Sequence, residues 1–125
     1  MEVMSTPKQL RVKRAYEDPA HDDGVRILVD RLWPRGLPKS KAHVDLWLKD
    51  LAPSSGLRRW FNHEPTKWAE FRRRYARELD SKHGAVAALR GAARRGRVTL
   101  LFGARSAQHN HAVALQAYLA RRRQA

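Results

Sequence analysis

Val25-Arg26-Ile27-Leu28-Val29-Asp30 is an apolar, β-branched run that ends in a carboxylate, and Arg31-Leu32-Trp33-Pro34-Arg35-Gly36 follows it directly. Such a run suits a buried strand. Pro34 forbids continued ladder pairing and Gly36 permits backbone angles closed to other residues, so the strand opens into a structured loop. Val98-Thr99-Leu100-Leu101-Phe102 reads as a second apolar strand, passing through Gly103-Ala104-Arg105-Ser106 towards a final helix. Two core strands separated by helical segments lie parallel when a crossover joins them, and their C-terminal ends then open on one edge of the sheet. That edge is where ligands of α/β proteins bind.

Upstream of Val25, Leu10 to Tyr16 alternates as a half-exposed edge strand does, and turn residues lie between it and Val25. Val44, Trp47, Leu48 and Leu51 fall at the i, i+3, i+4, i+7 spacing of an amphipathic helix, which predicts a helix over Ser40 to Leu51 closed by Pro53. Ser54 or Ser55 caps a short helix with the stripe Leu57, Trp60 and Phe61, and a further helix starts near Pro65. Its stripe is Trp68, Phe71, Tyr75 and Leu79, read as core, with Glu70 and Arg74 spaced for an i, i+4 pair. Val86, Leu89 and Ala93 mark an Ala-rich helix that Gly96 is expected to end in the left-handed region. Ala112, Leu115, Tyr118 and Leu119 mark the last buried stripe. The expected fold is α/β: a single small domain with a short, mostly parallel sheet, an edge strand and about four to five flanking helices. It is placed over residues 9–120, between a flexible N-terminus at 1–8 and a basic C-terminal tail at 121–125.

The chain has 125 residues, no cysteine, and 26 Lys and Arg against 12 Asp and Glu, a net charge of +14. One domain fits this length. The absence of cysteine excludes disulfides, thiolate nucleophiles and sulfur-based zinc sites. No run approaches the roughly 20 apolar residues of a membrane span, and Met1 to Leu10 lacks a signal-peptide core, so a soluble cytoplasmic protein without a membrane partner is expected. The charge is concentrated C-terminally, with +4 over residues 1–62 and +10 over residues 63–125. Arg72, Arg73, Arg74 and Arg77, with Arg94 and Arg95, form the densest clusters available for nucleic-acid contact. The same pattern also arises on solvated helix faces of an Arg-rich chain.

The two strand ends would deliver Asp30, Arg31, Trp33, Arg35 and Gly36 on one side, and Arg105, Ser106, His109, Asn110 and His111 on the other. The last three stand at the start of a helix, whose free N–H groups and dipole favour an anion. In this reading the set binds a small anionic, phosphate-bearing ligand. If it is catalytic, His109 is the acid or base, Asp30 orients it or acts as a nucleophile, and Arg35 and Arg105 neutralise developing charge. The alternatives are structural: an Asp30–Arg31 ion pair, loop carbonyls held by Arg35, and a helix cap at His109 or Asn110. No metal or cofactor is expected. His109 and His111 at i, i+2 point apart on a helix, and His21, Asp22 and Asp23 could bind an ion weakly but are explained at least as well by a solvated turn. Phosphate-loop, nucleophile-elbow and dinucleotide motifs are absent.

Val29-Asp30-Arg31-Leu32-Trp33-Pro34-Arg35-Gly36, then Leu51-Ala52-Pro53-Ser54, Leu57-Arg58-Arg59-Trp60-Phe61, Trp68, Phe71 and Tyr75, and finally Thr99-Leu100-Leu101 with His109-Asn110-His111-Ala112, resemble the YeaO-like branch of the domain-of-unknown-function 488 family. The resemblance spans Val12 to Leu119. It implies a small bacterial cytoplasmic α/β protein with no established reaction, and it points to Asp30 to Gly36 together with His109 and Asn110. Two positions depart from the pattern: Gly103 stands where the family implies alanine, and Ser106 where it implies an acidic residue. Any activity that needs that acid is in question here. Some relatives carry a transcriptional-regulator label, but no helix-turn-helix with a recognition helix reads from this sequence.

Overall fold

The computed structural model describes residues 10–122. Its sheet has four parallel strands, β1 (Leu10–Arg14), β2 (Val25–Leu28), β3 (Leu46–Trp47) and β4 (Val98–Phe102), in the order β1-β4-β2-β3. Five α-helices accompany them: α1 (Lys39–Ala42), α2 (Ser55–Phe61), α3 (Trp68–Asp80), α4 (His83–Arg95) and α5 (His111–Arg122). This is the expected single α/β domain. The two apolar runs are neighbours, with Val25 opposite Val98 and Leu28 opposite Leu101, and β1 flanks β4 on its other side. Arg121 and Arg122 continue α5; segment 1–8 and the end of the basic tail fall outside the described residues.

Alternation along the strands sends two sets of side chains to opposite faces of the sheet. Leu10, Ile27, Val29, Val98, Leu100 and Phe102 meet the buried stripes of α2 to α5, including Leu57, Phe71, Leu89 and Leu115. This is the main core. Ala15, Leu28 and Leu101 face the other way, beneath Trp33, Leu37, Val44 and Trp47. The periodicity of α3 holds as read: Phe71, Tyr75 and Leu79 are buried, and Phe61 stacks on Phe71 with ring centroids 4.5 Å apart.

The helix expected over Ser40 to Leu51 does not form. Only α1 is helical; the chain then runs through β3 and one turn of 3-10 helix at Lys49–Leu51. The cause is tertiary. Buried Arg26 donates from Nε and Nη2 to the Ala42 carbonyl, and from Nε to that of His43, capping the helix end, and His43 turns into the left-handed region at φ 49°. Beyond it, Asp45 N–H donates to the Arg26 carbonyl, the Asp45 carboxylate accepts from Arg26 N–H, and Leu48 N–H donates to the Leu28 carbonyl. The open edge of β2 thus recruits the segment as a strand. Gly96 differs as well: at φ 166° it is extended, carrying the chain straight from α4 towards β4.

Candidate functional site

β2 and β4 end on the same edge of the sheet, and a cleft of about 610 Å3 opens there. From the segment after β2 it is lined by Asp30, Arg31, Leu32, Trp33, Pro34 and Arg35; from β4 to α5 it is lined by Gly103, Ala104, His109, Asn110 and His111. Both strand ends therefore contribute as read from sequence. Three of the expected residues do not line it: Gly36, Arg105 and Ser106 lie outside its wall.

The floor is built around Asp30. One carboxylate oxygen accepts from Gly103 N–H at 2.9 Å, tying the end of β2 to the end of β4. A Cβ at position 103 would stand 3.0 Å from that oxygen, so glycine allows the close seating. The other oxygen, Oδ1, is buried and lies 3.0 Å from His111 Nε2, which is also 3.0 Å from the Val29 carbonyl. The Val29 carbonyl can only accept, so a hydrogen bond to it places a proton on Nε2. The hydrogen bond itself goes to Val29, and Oδ1 is close to the imidazole without a directed hydrogen bond of its own. The histidine beside Asp30 is thus His111, not the expected His109.

His109 packs its ring with the centroid 5.2 Å from that of Trp68, and its backbone N–H donates to Ser106 Oγ. Asn110 is the cap of α5: its Oδ1 accepts from Val113 N–H and its Nδ2 donates to the Ser106 carbonyl. The structural alternative for Asn110 is what the geometry shows. Trp33 Nε1 donates to the Leu37 carbonyl, and Tyr16 O–H donates to the Arg35 carbonyl at 2.6 Å, so the loop after β2 is braced at two points. Arg31 is exposed and makes no ion pair with Asp30.

Sequence reasoning missed the third wall. Ser55, Arg58, Arg59, Phe61, Asn62 and His63, from α2 and the turn after it, complete the cleft. Asn62 and His63 both hold positive φ, 45° and 56°, and this double left-handed turn carries His63 to the lining. The adjacent arginines Arg58-Arg59 were the available signal, but the pattern of a single helix does not say which distant element its polar face meets. Four arginines and one carboxylate therefore line the cleft, and among the described residues none of Arg31, Arg35, Arg58 and Arg59 makes a side-chain hydrogen bond or ion pair.

α3 holds this wall in place. Glu78 accepts from Ser54 N–H at 2.8 Å and from Ser54 Oγ–H at 2.6 Å, while Ser54 Oγ accepts from Leu57 N–H to cap α2. Tyr75 O–H donates to the Leu51 carbonyl, and Lys82 Nζ donates to that of Ala52. Burial pushes the Tyr75 phenol well above its ordinary pKa, and the negative charges of Glu78 and Asp30 push the same way. It stays a donor.

A family described as the inactive DUF488-N3 subclade matches residues 9–125. The chain belongs to this DUF488 family. An uncharacterized protein of Mycobacterium tuberculosis, Rv3073c, is 44% identical over 107 residues, covering 86% of this chain and 90% of its own. The uncharacterized protein YeaO of Escherichia coli is 39% identical over 110 residues, covering 88% of this chain and 96% of its own. No solved structure matches significantly. The YeaO-like DUF488 resemblance read from the sequence is borne out.

On this DUF488 chain the clusters weighed for nucleic-acid contact are partly neutralised. Glu70 pairs with Arg73 at 2.7 Å and with Arg74 at 3.0 Å, and hydrogen bonds from Arg74 and then Arg73 hold its carboxyl below the usual range. Arg74 also lies 4.2 Å from the Trp60 ring centroid, and Arg72 lies 5.8 Å from that of Trp68. Arg77, Arg94 and Arg95 are exposed. Among the described residues no helix is long and apolar enough to cross a membrane, and no group of His, Asp and Glu is placed to hold a metal.

Proposed function

We propose that this protein binds a small, phosphate-bearing anion in the cleft at the C-terminal ends of β2 and β4. The observation that carries the reading is that Arg31, Arg35, Arg58 and Arg59, none with a side-chain partner among the described residues, line one cleft whose single carboxylate accepts from Gly103 N–H through one oxygen and lies beside His111 with the other. Unpaired guanidiniums gathered in one concavity focus positive potential and offer forked donors to phosphate oxygens.

Binding without turnover is the favoured form. Asp30, the candidate nucleophile or orienting group, sits against Gly103 and His111, and His109 packs on Trp68. Ser106 stands at the position where the family pattern implies an acid, and the matching subclade is described as inactive. Nucleic-acid binding through α3 and α4 is the weaker reading, because Glu70 already engages Arg73 and Arg74.

A thermal-shift comparison of wild type with Arg35→Ala and Arg58→Ala tests the reading, using phosphate, pyrophosphate and organic phosphates at fixed ionic strength. A ligand at about 100 times its Kd adds about 2.7 kcal/mol of stability, a Tm rise of several degrees. The rise is expected in wild type and absent or reduced in both variants. Equal shifts in all three proteins would remove the cleft's claim.

A further inference from the structure

We infer that the ligand of the cleft is a nucleotide, with its phosphate on the arginine wall and its base against the apolar mouth formed by Tyr16 and Leu32. This rests on the anion-binding reading above. Three features of the same cleft point to the ligand, and the first and third go beyond what a bare anion uses. The first is size: about 610 Å3 falls within the roughly 300–1,000 Å3 of pockets that bury whole organic molecules.

The second is charge. Four arginines against Asp30 leave an excess of positive charge that a single carboxylate ligand would only partly compensate. A phosphoryl group brings close to two negative charges at neutral pH and several oxygens suited to forked donors.

The third is the mouth. Leu32 is 69% exposed and Tyr16 is 38% exposed; both line the cleft, and they are two of the four large apolar side chains left exposed among the described residues. A scattered surface leucine needs no explanation, but two such groups at the rim of a cationic cleft present apolar surface to whatever the arginines hold. The Tyr16 ring is also fixed before any ligand arrives. Its hydroxyl is bonded to the Arg35 carbonyl, and the Arg14 guanidinium stands 4.7 Å from the ring centroid. Arg14 is itself anchored on the Ala104 carbonyl at 2.9 Å. A pre-positioned ring loses little freedom on stacking, which favours a planar partner. A sugar phosphate would satisfy the arginines and leave this surface wet.

Isothermal titration at fixed moderate ionic strength separates the cases. The probes are AMP, GMP, CMP and UMP, ribose 5-phosphate, inorganic phosphate and adenosine. The proteins are wild type, Leu32→Ser, whose side chain is too exposed to be needed for folding, and the Arg58→Ala/Arg59→Ala double variant. At least one nucleoside monophosphate is expected to bind about tenfold or more tighter than ribose 5-phosphate and phosphate. Leu32→Ser should remove about tenfold of that advantage, the equivalent of about 1.4 kcal/mol, and leave phosphate binding unchanged. The double arginine variant should weaken every phosphate compound. If nucleotides, ribose 5-phosphate and phosphate bind alike and Leu32→Ser changes nothing, the nucleotide inference is overturned while the anion site stands. If no phosphate compound binds, if the double arginine variant binds them unchanged, or if adenosine binds as tightly as the nucleotides, the anion reading falls as well.

Discussion

Gly24 links β2 to the remote end of β4, on the edge of the sheet opposite the cleft. It holds φ +69°, and a Cβ there would lie 2.1 Å from the Arg97 carbonyl oxygen, which accepts from Val25 N–H. Gly24→Ala therefore has to move backbone, and a loss of about 3 kcal/mol is expected, read as a lower urea midpoint at unchanged m-value. Next to it, the buried Asp23 carboxylate is engaged by Arg26, Lys13 and Ala20 N–H, and its carbonyl accepts from Thr99 Oγ–H. Burial opposes its ionisation, but the hydrogen bonds from Ala20, Lys13 and Arg26 outweigh burial and hold its pKa below the ordinary value. A folded-state pKa below the unfolded one gives stability that is complete above the unfolded value of about 3.9 and is lost as pH falls through the folded one. The penalty of Asp23→Asn in denaturant titrations should accordingly be constant from neutral pH down to about pH 5 and shrink below about pH 4. A penalty that grows on acidification would contradict this. The sequence offered Asp22-Asp23-Gly24 only as a turn, because neither the clash at Gly24 nor the cations around Asp23 are local: Arg97 is remote in the chain, and Lys13 and Arg26 come from two different strands. Asp30 at the strand end and the backbone freedom of Gly36, which holds φ 75° but lies outside the cleft wall, were readable, since a carboxylate and a glycine after an apolar run have local meaning.

Among the elements, α2 shows how a short helix is fixed by a neighbour. Ser54 caps it and is held in turn by Glu78 of α3, which makes two hydrogen bonds to the one residue. Ser54→Ala and Glu78→Ala should each destabilise by about 1–2 kcal/mol, and together by less than the sum of the two. A double-mutant cycle should return a coupling of about 1 kcal/mol; strict additivity would show that the pair does not act as one unit. α3 was legible from its periodicity and the two core strands from their unbroken apolar runs, because α3 buries one stripe while β2 and β4 are covered on both faces. The Ser40 to Leu51 segment was not. Its apolar residues satisfy a helical period, yet Val44 and Trp47 pack over Leu28 and Leu101 while Leu48 and Leu51 join the main core, an arrangement that a strand crossing the sheet edge achieves and a helix does not. The free ladder edge of β2 decided between them.

Across the whole molecule, the parallel order β1-β4-β2-β3 separates two charged regions. The Asp23 cluster closes the end of the sheet where β2 begins, and the arginine-lined cleft opens where β2 and β4 finish. One is internally paired and reads as stability. The other carries four guanidiniums without partners among the described residues and reads as a binding site. Two walls of the cleft follow from the sequence once β2 and β4 are taken as parallel neighbours; the third, from α2, depends on tertiary packing that no local pattern encodes. Anion binding in the cleft is read out by mapping amide chemical-shift changes by NMR during a titration with pyrophosphate at constant ionic strength. Changes should concentrate at Arg31 to Gly36, at Arg58 to His63 and at Gly103 to His111, and they should saturate. Changes centred on Arg72 to Arg77 and on Arg94 and Arg95, or a non-saturating drift across all basic faces, would contradict it.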